Sequence, residues 1–521
     1  MPDSTKRLVI ASVWAVVLLG LPLWWKTTAV YRAQLPFSQI DSWAERKACQ
    51  LSFPSTFVIH LASIADGEPQ AHNRPLDFAV IQETITSHVN NRLASTNARE
   101  CVEFPLHVNI QNWPITSDMK NLLHHIEPSN SKQVIAIADI EEVSSAVITA
   151  ILKGERERVR SLACDSELTE RSNLDGARTM KFSPTYQMTF SLMNGNPDSL
   201  QVDWDIEAAV NTYLKPFISE VSLVSNFTVD SQIQHYADLA VTPQFMERQK
   251  LPSYYYLTPQ TLPHFINSAE WNLASAISSY PTINFILYIP AADKTPLRIH
   301  DDKGQPLRSN AFLIPRWGGI AIKNPPKAAS GKLEFSKEDL KPFMEIFVAQ
   351  LRGLIGIHDL KKTMSSLESS YEISLAPTPQ TAVTVIEMDA VVKQRIAENV
   401  VNSIATLKSL AQLVMDIPNM VVLDHIRTEV QLSLDSLNQA CQALQQEDYL
   451  KALQHSIHAI ERSEKAFFDP TMVSMLYFPD EHKYAIYMPL FVPVSVPLIM
   501  AVIKQLKEYK KEKREQKVKA E

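Results

Sequence analysis

Glycine is scarce in this chain, 11 of 521 residues, roughly 2% against about 7% in an average protein. Phosphate-cradling loops need several glycines close together, and the only adjacent pair is Gly318-Gly319. A P-loop or a dinucleotide fingerprint is therefore absent, which argues against a nucleotide enzyme. The sequence also contains no H-E-x-x-H and no G-x-S-x-G, so the common metalloprotease and serine-hydrolase signatures are missing. An excess of positive charge is lacking too. Lys and Arg number 50 against 57 Asp and Glu, a net charge of −7, which argues against a general nucleic-acid binder. Cysteine is limited to Cys49, Cys101, Cys164 and Cys441. Four cysteines allow three full pairings, and the sequence does not choose among them. What remains, 45% hydrophobic and 21% charged, is globular composition, long enough for about three domains.

Two segments break that globular picture. Leu8 to Trp25, "LVIASVWAVVLLGLPLWW", runs 18 residues without a charge, and Ala485 to Ile503, "AIYMPLFVPVSVPLIMAVI", runs 19. Each is just long enough to cross a bilayer core as a helix. Trp24 and Trp25 close the first run, and Tyr484 and Tyr487 open the second, as suits the headgroup belt. A cleaved signal peptide is the competing reading of the first, with "TTA" at 27–29 as its small-residue site. A buried core helix is the competing reading of the second. The length and double Trp of one, and the terminal position and basic flank of the other, favour two transmembrane helices, 8–25 and 485–503.

Orientation follows from the flanks. Lys504, Lys507, Lys510, Lys511, Lys513, Arg514, Lys517 and Lys519 follow the second run, whereas Asp480, Glu481 and Lys483 precede it. The positive-inside rule places the basic tail, 504–521, in the cytosol. Two spans return the N-terminus, 1–7, with Lys6 and Arg7, to the same side. Everything between is expected in a lumen. The chain ends "KVKAE", a K-x-K-x-x dilysine pattern that reads as a retrieval address for the endoplasmic reticulum on a cytosolic tail.

The second run contains Pro489, Pro493 and Pro497. Each proline removes a backbone N–H, at a cost of roughly 3 kcal/mol inside a helix. Their absence strips partners from the carbonyls of Ala485, Pro489 and Pro493. Residues four apart share a helix face, and lipid offers no donor. The proline stripe is thus expected to kink the helix and face other transmembrane helices. The segment 8–25, or further subunits of a membrane complex, could supply them.

The expected lumenal body divides by pattern. Over 26–360, "TFVIHLAS" (56–63), "LHVNI" (106–110), "QVIAIADI" (133–140), "YQMTFSLM" (186–193) and "NFILYIP" (284–290) read as strands. "DWDIEAAVNTYLKPFISEV" (203–221) and "SKEDLKPFMEIFVAQLRGLIGI" (336–357) read as amphipathic helices. This alternation predicts an α/β lumenal domain. Ser/Thr/Pro-rich 361–384 reads as a linker. Over 385–468 the strands stop. Ile396, Val400, Ile404, Leu407, Ala411 and Val414 form one helical stripe, ended by Pro418. Ile426, Val430, Leu434, Leu437, Cys441 and Leu444 form a second. Leu450, Leu453, Ile457, Ile460 and Phe467 form a third. A C-terminal helical bundle is expected, followed by a juxtamembrane segment, 469–484.

No constellation makes a convincing catalytic, cofactor or metal site. "QACQA" (439–443) approaches the caspase-type Q-A-C-[RQG]-G, but Ala443 replaces glycine. The nearest upstream histidine, His425, is 16 residues away rather than about 50. Cys441 also falls in the second stripe, where it reads as a packed core residue. His455, His458 and Glu461 share a helix face without a distant fourth ligand, and His124-His125 read as surface residues. One N-glycosylation sequon, Asn226-Phe227-Thr228, is present.

Several blocks carry a resemblance: "RLVIASVWAVVLLGLPLWWKTTAVYRAQLPFSQI" (7–40), "NAFLIPRWGGIAIKN" (310–324), "MEIFVAQLRGLIGI" (344–357) and "KAFFDPTMVSMLYFPDEHKYAIYMPLFVPVSVPLIM" (465–500). In this order they resemble the phosphatidylinositol glycan class S family, the S subunit of glycosylphosphatidylinositol (GPI) transamidase. The middle, about 65–200, matches only loosely. The resemblance implies membership of the complex in the endoplasmic reticulum membrane that replaces a C-terminal signal with a preassembled GPI anchor. It implies a non-catalytic structural subunit, with the catalytic cysteine in the K subunit. The other partners it implies are the T and U subunits and GPI attachment protein 1, alongside membrane lipid. An enzyme using Cys441, and a membrane-tethered scaffold or chaperone of the endoplasmic reticulum, are the alternatives. With both termini cytosolic, protease added outside sealed microsomes clips a C-terminal tag and spares the body between the spans. A protected tag contradicts the topology and the dilysine reading together.

Overall fold

The computed structural model of the chain describes residues 3–28, 31–61, 77–94, 101–112, 125–128, 137–164, 179–249, 251–267, 271–273, 280–326, 331–360, 363, 371–374, 382–417, 420–471 and 480–518. The chain splits into two compact units. One takes Met1–Ala48, Asn402–Asn438 and His458–Glu521, and the other Cys49–Val401 and Gln439–Ile457.

In chain order the main elements begin with α1 (Asp3–Thr28), α2 (Phe37–Ala44), β1 (Ser55–Leu61), α3 (Phe78–Leu93), β2 (Leu106–Asn112) and α4 (Ile137–Cys164). Then come β3 (Thr185–Asn194), β4 (Leu200–Trp204) and α5, which runs Ile206–Ala209, widens to a π-turn at Val210–Leu214 and resumes at Lys215–Val221. β5 (Asn226–His235), β6 (Tyr254–Leu257), β7 (Thr282–Ile289), β8 (Leu297–Ile299), β9 (Ala311–Ile314), β10 (Gly318–Ile322) and β11 (Gly331–Phe335) follow. The helices α6 (Lys337–Ile355), α7 (Val385–Asp416), α8 (Asp424–Gln445), α9 (Tyr449–Phe467) and α10 (Asp480–Val518) complete the order.

The larger unit is built on a five-stranded sheet in the order β9-β10-β7-β3-β5. Four strands are parallel, and β9 runs antiparallel to β10. β3 and β7 are buried along nearly their whole length. The run of β7 is apolar almost throughout, as suits a parallel strand covered on both faces, whereas β3 alternates its apolar residues with the buried polar Gln187, Thr189 and Ser191. On one face α6 sets Phe347 against Phe190 and Phe285, with ring centres 5.8 and 5.3 Å away. On the other, Ile286, Tyr288, Ile320 and Ile322 join a core with Leu257, Leu297, Ile299, Phe265 and Trp271.

The one glycine pair sits where α6 meets this sheet. A Cβ on Gly318 would lie 1.8 Å from the Asn284 carbonyl oxygen, and one on Gly319 would lie 1.9 Å from Gln350 Oε1. The pair is a packing device that admits the Gln350 side chain, which donates to the Phe312 carbonyl at 2.8 Å. α6 begins at a capping box made by Ser336 and Asp339 and stops at Gly356 with φ 90°. Both are the start and stop chemistry that helices favour. Beside this sheet, β1 and β2 pair in parallel. α3 packs Ile81, Ile85, Val89 and Leu93 against Leu106, Val108 and Ile110 of β2 and Ile148 and Leu152 of α4.

Two sequence expectations need correction. "QVIAIADI" (133–140) is not a strand from Ile137 onward, because α4 begins there; 133–136 lie outside the described residues. The run continues at helical spacing through the buried Val143, Val147, Ile151 and Ile148, and that period outweighs the local β propensity. The 361–384 stretch is not wholly a linker. Tyr371–Ser374 forms a strand antiparallel to His125–Pro128, so His125 belongs to a strand, while His124 lies outside the described residues.

The C-terminal region is helical, as expected. On α8, Ile426, Val430, Leu434, Leu437, Cys441 and Leu444 are all buried. On α9 the expected stripe holds in part: Leu453 and Ile460 are buried and Ile457 and Phe467 half-buried, whereas Leu450 is exposed, and Ala452, Ser456, Ala459, Ser463 and Ala466 are buried as well. Small residues at 4-3-4-3 spacing carry little hydropathy, so the larger Leu and Ile positions drew the eye instead. Polar contacts fix this face: Ser433 donates to the Ala459 carbonyl at 2.8 Å, and Asn399 to Ser456 at 3.2 Å.

The two uncharged runs lie on α1 and α10. Among the described residues no helix is long and apolar enough to cross a membrane, so the two flanking spans are not confirmed by the fold. Only part of the side chains of either run is described. α1 approaches α10, and α10 continues through the basic stretch to Val518.

Glu429 on α8 meets Arg462 at 2.9 Å and Lys465 at 2.6 Å on α9. Burial raises its pKa, but the bonds from Lys465 and Arg462 outweigh burial and hold it below the ordinary value. A depressed carboxylate stabilises the fold above its unfolded pKa and loses that contribution as pH falls through the folded one. Glu429→Gln should therefore cost about 1 kcal/mol at pH 7. The deficit should shrink towards zero in acid, read by denaturant unfolding of the full chain at pH 7 and below 4.

Candidate functional site

Three places concentrate the chemistry available to this chain. The first is Cys441. It is buried, as its stripe predicted, but it is not a lone packed thiol: it forms a disulfide with Cys49, 392 residues away in sequence. Cys101 pairs with Cys164, and no free cysteine remains. The pairing left open by the sequence is thus fixed by proximity in the fold. Its chemical consequence is direct, since a sulfur held in a disulfide is not a thiolate and cannot attack a carbonyl.

The second place is a buried ionic cluster in the larger unit, which the sequence reading did not single out. The Lys393 side chain, 2% exposed, lies 3.2 Å from Glu155, itself 4% exposed, and 2.7 Å from Asp389. Its Nζ also donates to Ser55 Oγ at 2.9 Å and sits 5.2 Å from the centre of the Tyr449 ring. The Tyr449 hydroxyl donates to the Pro54 carbonyl. Burial pushes the Glu155 carboxyl above its ordinary range, and the charge of Lys393 opposes that push. Burial likewise raises the Tyr449 hydroxyl. The cluster brings α4, α7, the start of α9 and the start of β1 to one cation. Its signal in the sequence was a lysine amid the apolar "AVVKQRIAENVV" (390–401). A lysine held by two carboxylates has no free base or nucleophile to offer, so the arrangement is a clamp. Removing one partner of such a buried pair costs about 3–5 kcal/mol.

The third place is the proline stripe on α10. The backbone stays helical through Pro489, Pro493 and Pro497, and all three prolines are exposed. The positions Ser495, Leu498, Ala501, Val502 and Gln505 are half-buried, and α1 approaches α10.

The remaining candidates separate in space. Asn226 opens the edge strand β5 and is exposed, with its backbone N–H donating to the Pro184 carbonyl at 2.9 Å. The sequon amide is thus accessible. His458 lies 3.7 Å from Glu461 on an exposed face, and among the described residues no group of three or more potential ligands could hold a metal ion. His425 faces Asp469 at 2.8 Å.

Comparison with known proteins adds to this geometry. The family model described as "Phosphatidylinositol-glycan biosynthesis class S protein" matches residues 11–512. A protein of Bos taurus named "GPI-anchor transamidase component PIGS" is 35% identical over 97% of this chain and 96% of its own length. Its Homo sapiens namesake is 34% identical over the same shares. The "GPI transamidase component PIG-S homolog" of Schizosaccharomyces pombe is 28% identical over 98% of this chain and 86% of its own length.

The disulfide revises the expected cost of replacing Cys441. Loss of one buried small residue would cost about 1–2 kcal/mol, whereas loss of a disulfide closing so long a loop costs roughly 2–5 kcal/mol. Cys441→Ser and Cys49→Ser should therefore destabilise the full chain alike, and the double variant no more than either. Thermal unfolding with and without reductant checks this. A Cys441→Ser variant much less stable than Cys49→Ser would deny that they share a bond.

Proposed function

The chain belongs to the phosphatidylinositol-glycan biosynthesis class S family, and from that premise we propose that it is a structural, non-catalytic subunit of the GPI transamidase complex. That complex replaces the C-terminal signal of precursor proteins with a preassembled GPI anchor. The observation that carries the reading is the match of nearly the whole chain to relatives named as components of this transamidase. The bonded state of Cys441 supports the non-catalytic part. In this reading the cleaving cysteine belongs to the K subunit, and the other partners are T, U and GPI attachment protein 1.

The proposal includes the membrane. We assign 8–25 and 485–503 as two spans, the body between them to the lumen of the endoplasmic reticulum, and both termini to the cytosol. Both runs are helical, and at 1.5 Å per residue each reaches roughly 27 Å or more, near the thickness of a hydrocarbon core. Leu8, Val16, Leu18 and Leu19 on α1 and Met488, Val492, Val496 and Met500 on α10 are exposed. Such contiguous apolar surface is unfavourable against water and at home against lipid or other membrane helices.

Within that membrane the proline face is where the other subunits dock. The helix leaves three carbonyls without their usual N–H partners on that side, and the three prolines are exposed in the chain. Association inside a bilayer depends on close fit and on satisfied polar groups rather than on a hydrophobic driving force. Replacing Pro489, Pro493 and Pro497 together with Leu restores three N–H groups and keeps the span apolar. Insertion should survive, while recovery of the K and T subunits from detergent, and surface display of a GPI-anchored reporter, should fall several-fold. Normal recovery and display with the triple-leucine span would remove the docking role. Failure of the wild-type chain to recover any transamidase subunit would remove the assembly role itself.

A further inference from the structure

The five-stranded sheet of the larger unit ends on one side in a long open strand. β5 (Asn226–His235) is 10 residues long and pairs in parallel with β3. Among the described residues it has no second strand neighbour. The opposite edge strand, β9, is 4 residues long. Free edges are usually kept short, or guarded by lysine, proline or a bulge, because their unpaired backbone groups recruit other strands. The stretch "NFTVDSQIQH" holds no lysine, arginine or proline. Its register with β3 runs without a break from Thr185 opposite Asn226 to Asn194 opposite His235.

The direction of each backbone group follows from that register. The Asn226 N–H donates to the Pro184 carbonyl at 2.9 Å, so Asn226 turns its N–H and C=O toward β3. Along a parallel ladder such residues alternate with residues that face away. Asn226, Thr228, Asp230, Gln232 and Gln234 therefore bond β3. Phe227, Val229, Ser231, Ile233 and His235 turn their N–H and C=O groups to the open side.

The side chains alternate as well. Gln232 Nε2 donates to the Asn272 carbonyl at 2.9 Å, and Gln234 Oε1 accepts from the Asn272 N–H at 3.1 Å, on the sheet face away from α6. Phe227 stacks on Tyr186 with ring centres 5.7 Å apart. Tyr186 shares its face with Phe190, which meets α6, so Phe227, Val229 and Ile233 lie on the α6 face. Val229 is 37% and Ile233 38% exposed, and Ser231 between them is exposed. Asp230, the one acid of the strand, accepts from Gln187 Nε2 on β3. The open side thus combines outward backbone donors and acceptors with two aliphatic side chains and without a carboxylate, ammonium or guanidinium.

That combination specifies its complement. Lipid tails supply no hydrogen bonds, and a helix spends its backbone groups on itself. Another extended backbone matches donors and acceptors at this spacing, and the alternate side chains beside them set its sequence preference. We propose that β5 is a docking edge for an extended, uncharged segment of another polypeptide, which adds a strand to this sheet and sets aliphatic side chains against Val229 and Ile233. The proposal rests on the assembly role for its donor, a different subunit of the complex, and uses residues distinct from the proline face.

The test places p-benzoylphenylalanine at Val229 of the full chain, irradiates the detergent-solubilised complex and identifies the crosslinked product by mass spectrometry. A crosslink to another transamidase subunit is expected. Ser231→Pro removes an outward N–H and no bond within the sheet, at the kind of edge position that accepts proline. It should keep the parental unfolding midpoint and lower the crosslink several-fold, whereas Ser231→Ala should leave the crosslink unchanged. Should Ser231→Pro lower the midpoint, Ile233→Lys, a charge at an exposed edge position, takes its place with the same expected loss. A crosslink only to a second copy of this chain, a crosslink only within the chain, or none at all overturns the proposal. So does an undiminished crosslink in a folded Ser231→Pro or Ile233→Lys variant. The assembly reading fails separately, when the parental chain without the photoreactive residue recovers no other subunit.

Discussion

The bond between Cys49 and Cys441 is the constraint around which the larger unit is organised. It joins residues 392 apart, so everything from the first strands through α7 and most of α8 lies inside one closed loop. In the chain-entropy picture a closure of that length removes on the order of 5 kcal/mol of freedom from the unfolded chain. Cys101–Cys164 closes a second loop inside the first. Both bonds require an oxidising environment to persist, which the proposed lumenal placement would supply. The cysteine that most resembled a nucleophile in the sequence is thus one end of the longest covalent tie in the fold.

The Lys393 cluster works close to that tie, and by different physics. Tyr449 belongs to the same short stretch of the larger unit as Cys441, and it meets the ammonium of Lys393. A buried cation is stable only while its carboxylates stay in place, so the cluster favours one arrangement of α4, α7, α9 and β1 over looser ones. The disulfide limits the unfolded ensemble, and the ion cluster penalises mispacked folded ones. The structural role proposed above would draw on both kinds of rigidity.

The proline helix shows the opposite economy. Its three prolines and Met488, Val492, Val496 and Met500 are exposed on the isolated chain. Such a surface is unfavourable alone and becomes favourable only when lipid or neighbouring helices cover it.

The sequence by itself determined the elements whose period was strong. The runs at 186–193 and 284–290 read as strands, the first by its alternation of apolar and polar residues and the second by its nearly unbroken apolar character, which suits a parallel strand covered on both faces. The helix at 336–357 announced itself by its cap, and the region 385–468 by apolar stripes at helical spacing. Other features were decided by tertiary structure alone. Cys441 looked the same as a packed thiol or as a disulfide, because pairing depends on which distant cysteine the fold brings near. Lys393 carried no mark of burial in the sequence, because its partner Glu155 lies far off in the chain and only the fold sets it beside the ammonium. The small-residue stripe on α9 has too little hydropathy to show a period. Leu200 of β4 meets Gly331 of β11 only through strand register, which no local pattern encodes.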